Sequence, residues 1–175
     1  MPSKLHDDPI LGAAYAYWRR KCRAGGLPLR CDIDPTEIPQ LLPHLLITEF
    51  AADGQRLRYR LAGTAVVAAY GGELTGKYCD EVCPPERRAS IMAHYRLISE
   101  QRQPLLLRHR YLSPKRVSLV CHRLVMPLAD DRDAVRQFVA ALRFEYQGEA
   151  HEWTGRWADT TDDFTFEHAY SALVA

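Results

Sequence analysis

Val135-Arg136-Gln137-Phe138-Val139-Ala140-Ala141-Leu142-Arg143-Phe144-Glu145-Tyr146 alternates with a period of two. Phe138, Ala140, Leu142, Phe144 and Tyr146 share one face, and Gln137, Arg143 and Glu145 lie on the other, so this is a strand whose apolar side points inward. Reading back from it, the segments around 116–128 and 104–112 are also strand-like. They are separated by Ala129-Asp130-Asp131-Arg132-Asp133 and by Ser113-Pro114-Lys115, both rich in turn formers, which predicts three successive antiparallel strands. In the middle one Val120, Leu124 and Met126 oppose Leu119, Cys121 and Val125. Two apolar faces compete there, and the alternation does not decide which faces the core.

Upstream of these strands the pattern turns helical. Pro84-Pro85-Glu86 opens a long helix with Ile91, Met92, Tyr95 and Ile98 on one face, and Pro104 marks the next segment as extended. Ala65-Val66-Val67-Ala68-Ala69-Tyr70 reads as a short helix capped by Thr64 and ended by Gly71-Gly72. Two further strands precede it. Leu45–Phe50 runs into an Asp53-Gly54 turn, and Leu57, Tyr59 and Leu61 then alternate with Arg56, Arg58 and Arg60, which form a solvated face. Asp34-Pro35-Thr36-Glu37 carries the marks of a short capped helix held between prolines. At the front, Asp8 caps and Pro9 starts a helix over Ile10, Leu11, Ala14, Tyr15, Trp18 and Cys22, which Gly25-Gly26 stops. Its basic end, Arg19 to Arg23, suits the helix dipole.

These elements fit a chain of 175 residues with 47% hydrophobic and 26% charged residues, the size and usage of one globular domain. The expected class is α+β: a five-stranded antiparallel sheet with helices on one face, preceded by an N-terminal helix (1–26) and followed by an extension (147–175). Twenty-three basic residues nearly cancel 22 acidic ones, leaving +1, which argues against nucleic acid as a partner. No run approaches the roughly 20 apolar residues that span a bilayer, and the first residues hold no apolar signal core, so a cytoplasmic protein without membrane contact is expected. Cys22, Cys31, Cys79, Cys83 and Cys121 are odd in number and scattered, which suits reduced thiols. Cys79 and Cys83 share a helical face, but no second pair completes a zinc tetrahedron.

Four stretches carry a likeness: Tyr17-Trp18, Pro28 through Pro35 with Asp32-Ile33-Asp34-Pro35, the block from Gly63-Thr64 to Gly72-Glu73-Leu74-Thr75-Gly76, and Arg123-Leu124-Val125-Met126-Pro127-Leu128-Ala129-Asp130-Asp131. Their order and spacing over about residues 10–146 resemble a PAS domain of the proteobacterial PAS-like type (PAS_5), whose members carry little beyond the domain. The resemblance implies a non-catalytic sensory or interaction module that holds a small molecule between sheet and central helices or that simply pairs with other domains. It also implies that any output passes through a partner signalling protein, since positions outside 10–146 leave no room for an effector.

The residues expected to wall that space are Tyr70, Tyr78, Met92, Tyr95, His109, Tyr111, Phe138 and Leu142, chosen from facing rather than from a motif. The cofactor is not identifiable from sequence. His94, beside Tyr95 on the long helix, stands where haem-binding PAS relatives place an iron ligand, although a helix histidine is more often a hydrogen-bonded border residue. Cys79-Asp80-Glu81-Val82-Cys83 does not match the Asn-Cys-Arg motif of flavin-thiol photosensors. The rival reading is a small α+β isomerase or hydrolase with His109 as base, but no catalytic elbow, zinc helix or phosphate loop supports it. Tyr15 and Trp18 suggest a homodimer through the N-terminal helix, with packing on its own sheet as the alternative. The acidic, aromatic tail from Gln147, with Trp153 and Trp157, is expected to dock on its own domain or on a twin.

Overall fold

The structure, a computed structural model, describes residues 7–112 and 118–147, with side chains at 109–112, 118, 146 and 147 outside the described set. The expected docking of the tail therefore falls outside the described residues. Helix α1 (Leu11–Lys21) leads, followed by three single 3-10 turns and the hairpin β1 (Leu45–Phe50) and β2 (Leu57–Ala62). Helices α2 (Thr64–Tyr70), α3 (Cys79–Val82) and α4 (Pro85–Gln101) come next, then β3 (Leu105–Leu112), β4 (Ser118–Ala129) and β5 (Val135–Gln147). The sheet runs β2-β1-β5-β4-β3 with every neighbouring pair antiparallel, so the last strand lies in the centre beside the first.

Local chemistry explains the element ends. Asp8 Oδ1 accepts the amides of Ile10 (2.9 Å) and Leu11 (2.8 Å), covering N–H groups that the first turn of α1 leaves unsatisfied. The helix ends at Lys21, ahead of Gly25-Gly26, because Cys22 already has an extended backbone. Asp34 Oδ1 accepts the Thr36 amide at 2.8 Å, but the segment closes only one 3-10 turn before Ile38 leaves the helical region. Thr64 is the first residue of α2 rather than its cap. Gly63 occupies the cap position because a Cβ there would sit 2.1 Å from the Leu42 carbonyl oxygen.

Pleat alternation assigns the two faces of the sheet. Phe138 meets the Tyr95 ring of α4 edge-on, with centroids 4.9 Å apart, so α4 covers the face of Phe138, Ala140, Leu142 and Phe144. Register puts Val125, Arg123 and Cys121 of β4 on this inner face, together with Leu46 and Thr48 of β1. The intervening Arg143 points the other way and pairs with Asp8 at 2.5 Å, which locates α1 on the outer face.

Both faces are thus covered, which is why β4 reads apolar on each side: Leu124 and Val125 are both fully buried. Trp18 is 3% exposed, stacks on Tyr15 at 6.2 Å and donates its indole N–H to the Pro127 carbonyl at 2.9 Å. The expectation that Tyr15 and Trp18 centre a dimer interface is corrected here. Trp18 is bonded to the chain's own β4, and Leu11, Ala14, Tyr15 and Trp18 belong to the same buried core as the sheet.

Candidate functional site

Under α2, α3 and α4 the inner face carries a group of polar side chains inside an otherwise apolar core. Arg123 is 5% exposed and donates from Nη2 to the Tyr70 hydroxyl at 2.7 Å. Its guanidinium charge is felt by Tyr59, Cys79, His94, Tyr95 and Cys121, so these groups from β2, α3, α4 and β4 converge on one volume. Thr48 is fully buried opposite both Phe138 and Tyr59. Tyr95, 1% exposed, brings its hydroxyl to Thr48 and Arg123, and neither that hydroxyl nor the Thr48 hydroxyl makes a close, well-aligned hydrogen bond to protein among the described residues. A buried hydroxyl without a well-formed hydrogen bond costs roughly 1–3 kcal/mol, so Thr48 and Tyr95 are polar groups held at a cost inside an apolar layer.

Electrostatics follow from this burial. Loss of solvation pushes the Tyr59 and Tyr95 hydroxyls up, with the Arg123 charge opposing, so both phenols stay protonated. Burial lowers His94 to about 4 and Arg123 adds to the effect, so its imidazole is neutral near neutral pH. Cys121 is pushed up to about 12 by burial. Cys79 goes the other way, to about 7, because hydrogen bonds from Cys83 and Tyr59 and the charge of Arg123 outweigh its desolvation.

The expected wall residues divide among distinct settings. Tyr95, Phe138 and Leu142 lie in this volume fully buried, and Tyr70 reaches it through Arg123 while its ring packs edge-on against Phe144 at 6.3 Å. Met92 is half-buried against the core. The Tyr78 ring lies under the Arg56 guanidinium at 3.7 Å, beside the Arg56–Asp80 ion pair. His109 and Tyr111 pair in backbone register with Cys121 and Leu119, and their side chains are outside the described set. Thr48, Tyr59, Cys79 and Arg123 were missing from the expected wall. For Arg123 a signal existed: one arginine inside the long apolar run Leu119–Leu128.

His94 is 5% exposed with a neutral imidazole, and the next residue, Tyr95, packs edge-on against Phe138, so both side chains are taken up in the core of the domain. No group of three or more metal-ligating side chains occurs among the described residues. The histidine–carboxylate pair that is present, His122 with Glu145 at 3.4 Å, lies on the outer face. Two surface clefts open elsewhere. One of about 450 Å³ lies between the end of α1 and Gln101–Pro104, and one of about 360 Å³ lies between the β1–β2 turn and α4; neither is lined by any expected wall residue.

The sequence matches the PAS domain family PAS_5 over residues 7–143. The chain belongs to that family. Several solved structures share the fold. VqmA bound to DPO superposes with a TM-score of 0.50 at 12% identity, over 63% of this chain and 56% of that one. The Vibrio cholerae VqmA dimer without target DNA gives 0.50 at 12% identity over 65% and 52%. A Rhodobacter sphaeroides LOV protein gives 0.45 at 13% identity over 64% and 68%. This PAS chain spans about half the length of the VqmA chains, and at these identities the likeness is one of fold. No curated protein matches the sequence. No helix among the described residues is long and apolar enough to cross a membrane.

Proposed function

We propose that this PAS domain is a non-catalytic sensory module that binds a small molecule between its sheet and the helices α2 to α4, and that it passes the signal to a partner protein. The observation that carries this reading is the pair of buried hydroxyls of Thr48 and Tyr95, neither in a close, well-aligned hydrogen bond, in the volume around Arg123. A ligand with a compact hydrogen-bonding end would satisfy both, while Phe138 and Leu142 supply the apolar contact. Tyr70 and Met92 extend the same wall, and backbone register with Cys121 and Leu119 is the ground for assigning His109 and Tyr111 to it as well. VqmA, of similar fold, is described bound to DPO, which supports occupancy of such a fold but says nothing of ligand identity here. An enzyme would need a base and an orienting group inside this volume. The charge beside His94 is instead that of Arg123, which disfavours an imidazolium.

The test is native mass spectrometry of the purified full chain beside the same sample denatured. A discrete non-covalent adduct is expected in the native spectrum, with its occupancy lowered in Tyr95→Phe and Thr48→Val. A bare native mass, together with variants as stable as the parent or more so, would show that the two hydroxyls face nothing but protein or water.

A further inference from the structure

Beyond ligand binding, the geometry points to a peroxide-responsive dithiol: we propose that Cys79 and Cys83 form a reversible disulfide when a hydroperoxide reaches the base of α3. The two sulfurs stand 3.4 Å apart. The Cys83 amide still donates to the Cys79 carbonyl at 2.8 Å, so the backbone keeps helical i,i+4 spacing, which sets the two Cα atoms about 6 Å apart and within disulfide range. Cys83 lies just past the last residue of α3, with an extended backbone, so it can shift without breaking a helix interior.

The neighbours favour one sulfur as the attacking group. Cys79 is approached by Tyr59 and by the Arg123 charge, both of which favour its thiolate, and Cys83 is left as the protonated partner. Both sulfurs are buried, 3% and 4% exposed, so a small peroxide is the suitable oxidant and bulky disulfides are not. The remaining cysteines differ: Cys22 is half-buried, Cys31 is exposed, and burial keeps Cys121 protonated.

The chemistry balances. The Cys79 thiolate attacks one peroxide oxygen, the O–O bond breaks, and the leaving oxygen takes a proton to depart as water, or as an alcohol from an organic peroxide. The resulting Cys79 sulfenic acid is attacked by the Cys83 sulfur. An S–S bond forms, the S–O bond breaks, and hydroxide leaves with the Cys83 proton as a second water. Two thiols lose two electrons and the peroxide gains them. Pro84-Pro85 then begins α4 directly, so movement of Cys83 is delivered to the start of the helix that carries His94 and Tyr95.

The full chain is exposed to hydrogen peroxide, free thiols are blocked with N-ethylmaleimide, and tryptic peptides are weighed. Cleavage after Lys77 and Arg87 isolates both thiols, and no others, in one peptide, residues 78–87. The expected result is that peptide unblocked and about 2 Da lighter than its reduced form, restored by dithiothreitol. In Cys83→Ser, Cys79 should instead be trapped by dimedone as a sulfenic acid. Full blocking of both thiols after a dose that oxidises Cys31, or linkage of either to a different cysteine, would overturn the proposal. Cys79 borders the ligand volume, so the map is recorded on the chain as purified and again after unfolding and refolding to remove any adduct; blocking of both thiols in the adduct-free sample overturns this proposal and leaves the sensory reading standing.

Discussion

Replacing Trp18 tests whether α1 belongs to this domain's own core. The side chain is 3% exposed, and its N–H bonds the Pro127 carbonyl at 2.9 Å across the full sequence distance between the first helix and β4. Trp18→Ala deletes a buried indole and leaves that carbonyl without its donor. Large-to-small aromatic truncations in cores cost about 3–5 kcal/mol. Trp18→Phe keeps most of the apolar volume and isolates the lost hydrogen bond, at about 1–3 kcal/mol for a buried acceptor left unpaired. At roughly 2–4 °C per kcal/mol for a chain of this size, the alanine variant should melt about 6–20 °C lower and the phenylalanine variant a few degrees lower. Thermal unfolding followed by far-ultraviolet circular dichroism reads the first quantity, and sedimentation equilibrium on the same samples reads the mass. An unchanged melting temperature with a fall in mass would refute the reasoning, because it would mean that the indole is spent on a second copy rather than on Pro127.

Further predictions concern the cap of α2 and the buried histidine. Gly63→Ala places a methyl group against the Leu42 and Pro43 carbonyls, the nearer at 2.1 Å, and should destabilise by about 1–3 kcal/mol in urea titration, whereas Gly72→Ala, in open space, should change far less. His94 has a folded value of about 4 against an ordinary 6.5, so between those pH values the unfolded chain binds the extra proton. Stability should therefore fall as the pH drops from about 6.5 to about 4, and His94→Gln should flatten that part of the profile in denaturant melts. Glu145 is lowered by its hydrogen bond and ion pair with Arg143, so its contribution is present above the ordinary value of 4.5 and is lost as the pH falls from there through the lowered folded value, which Glu145→Gln should remove from the same denaturant profile.

Much of the sheet was legible because its solvent-facing residues betray the pleat. In β5, Gln137, Arg143 and Glu145 alternate with apolar residues, and the inward set followed at once. The same logic failed on β4. There α1 buries the outer face, so Leu124 and Met126 are as apolar as Val125, and Arg123 on the inner side looks like a stray charge. The turns at Asp53-Gly54 and Asp130–Asp133 were readable from residue type. The site was harder, since convergence of Tyr59, Thr48, Cys79 and Arg123 depends on β1 and β5 lying side by side, a neighbour relation that local pattern does not encode. On α4 the apolar spacing identified Tyr95 and Ile98, but the helix also turns Arg87 and His94 inward and leaves Met92 half out. Tyr78 passed for a cavity residue because nothing in the sequence announces that Arg56 will lie across its ring.

Phe138 and Pro127 are direct cross-strand neighbours. One touches Tyr95 beneath the sheet, and the carbonyl of the other holds Trp18 above it. A single rung of the ladder therefore bears load from both sides. A push that rotates the phenylalanine from within must tilt that rung, and the first helix, bolted to it by one indole, would be the part of the molecule to register the motion.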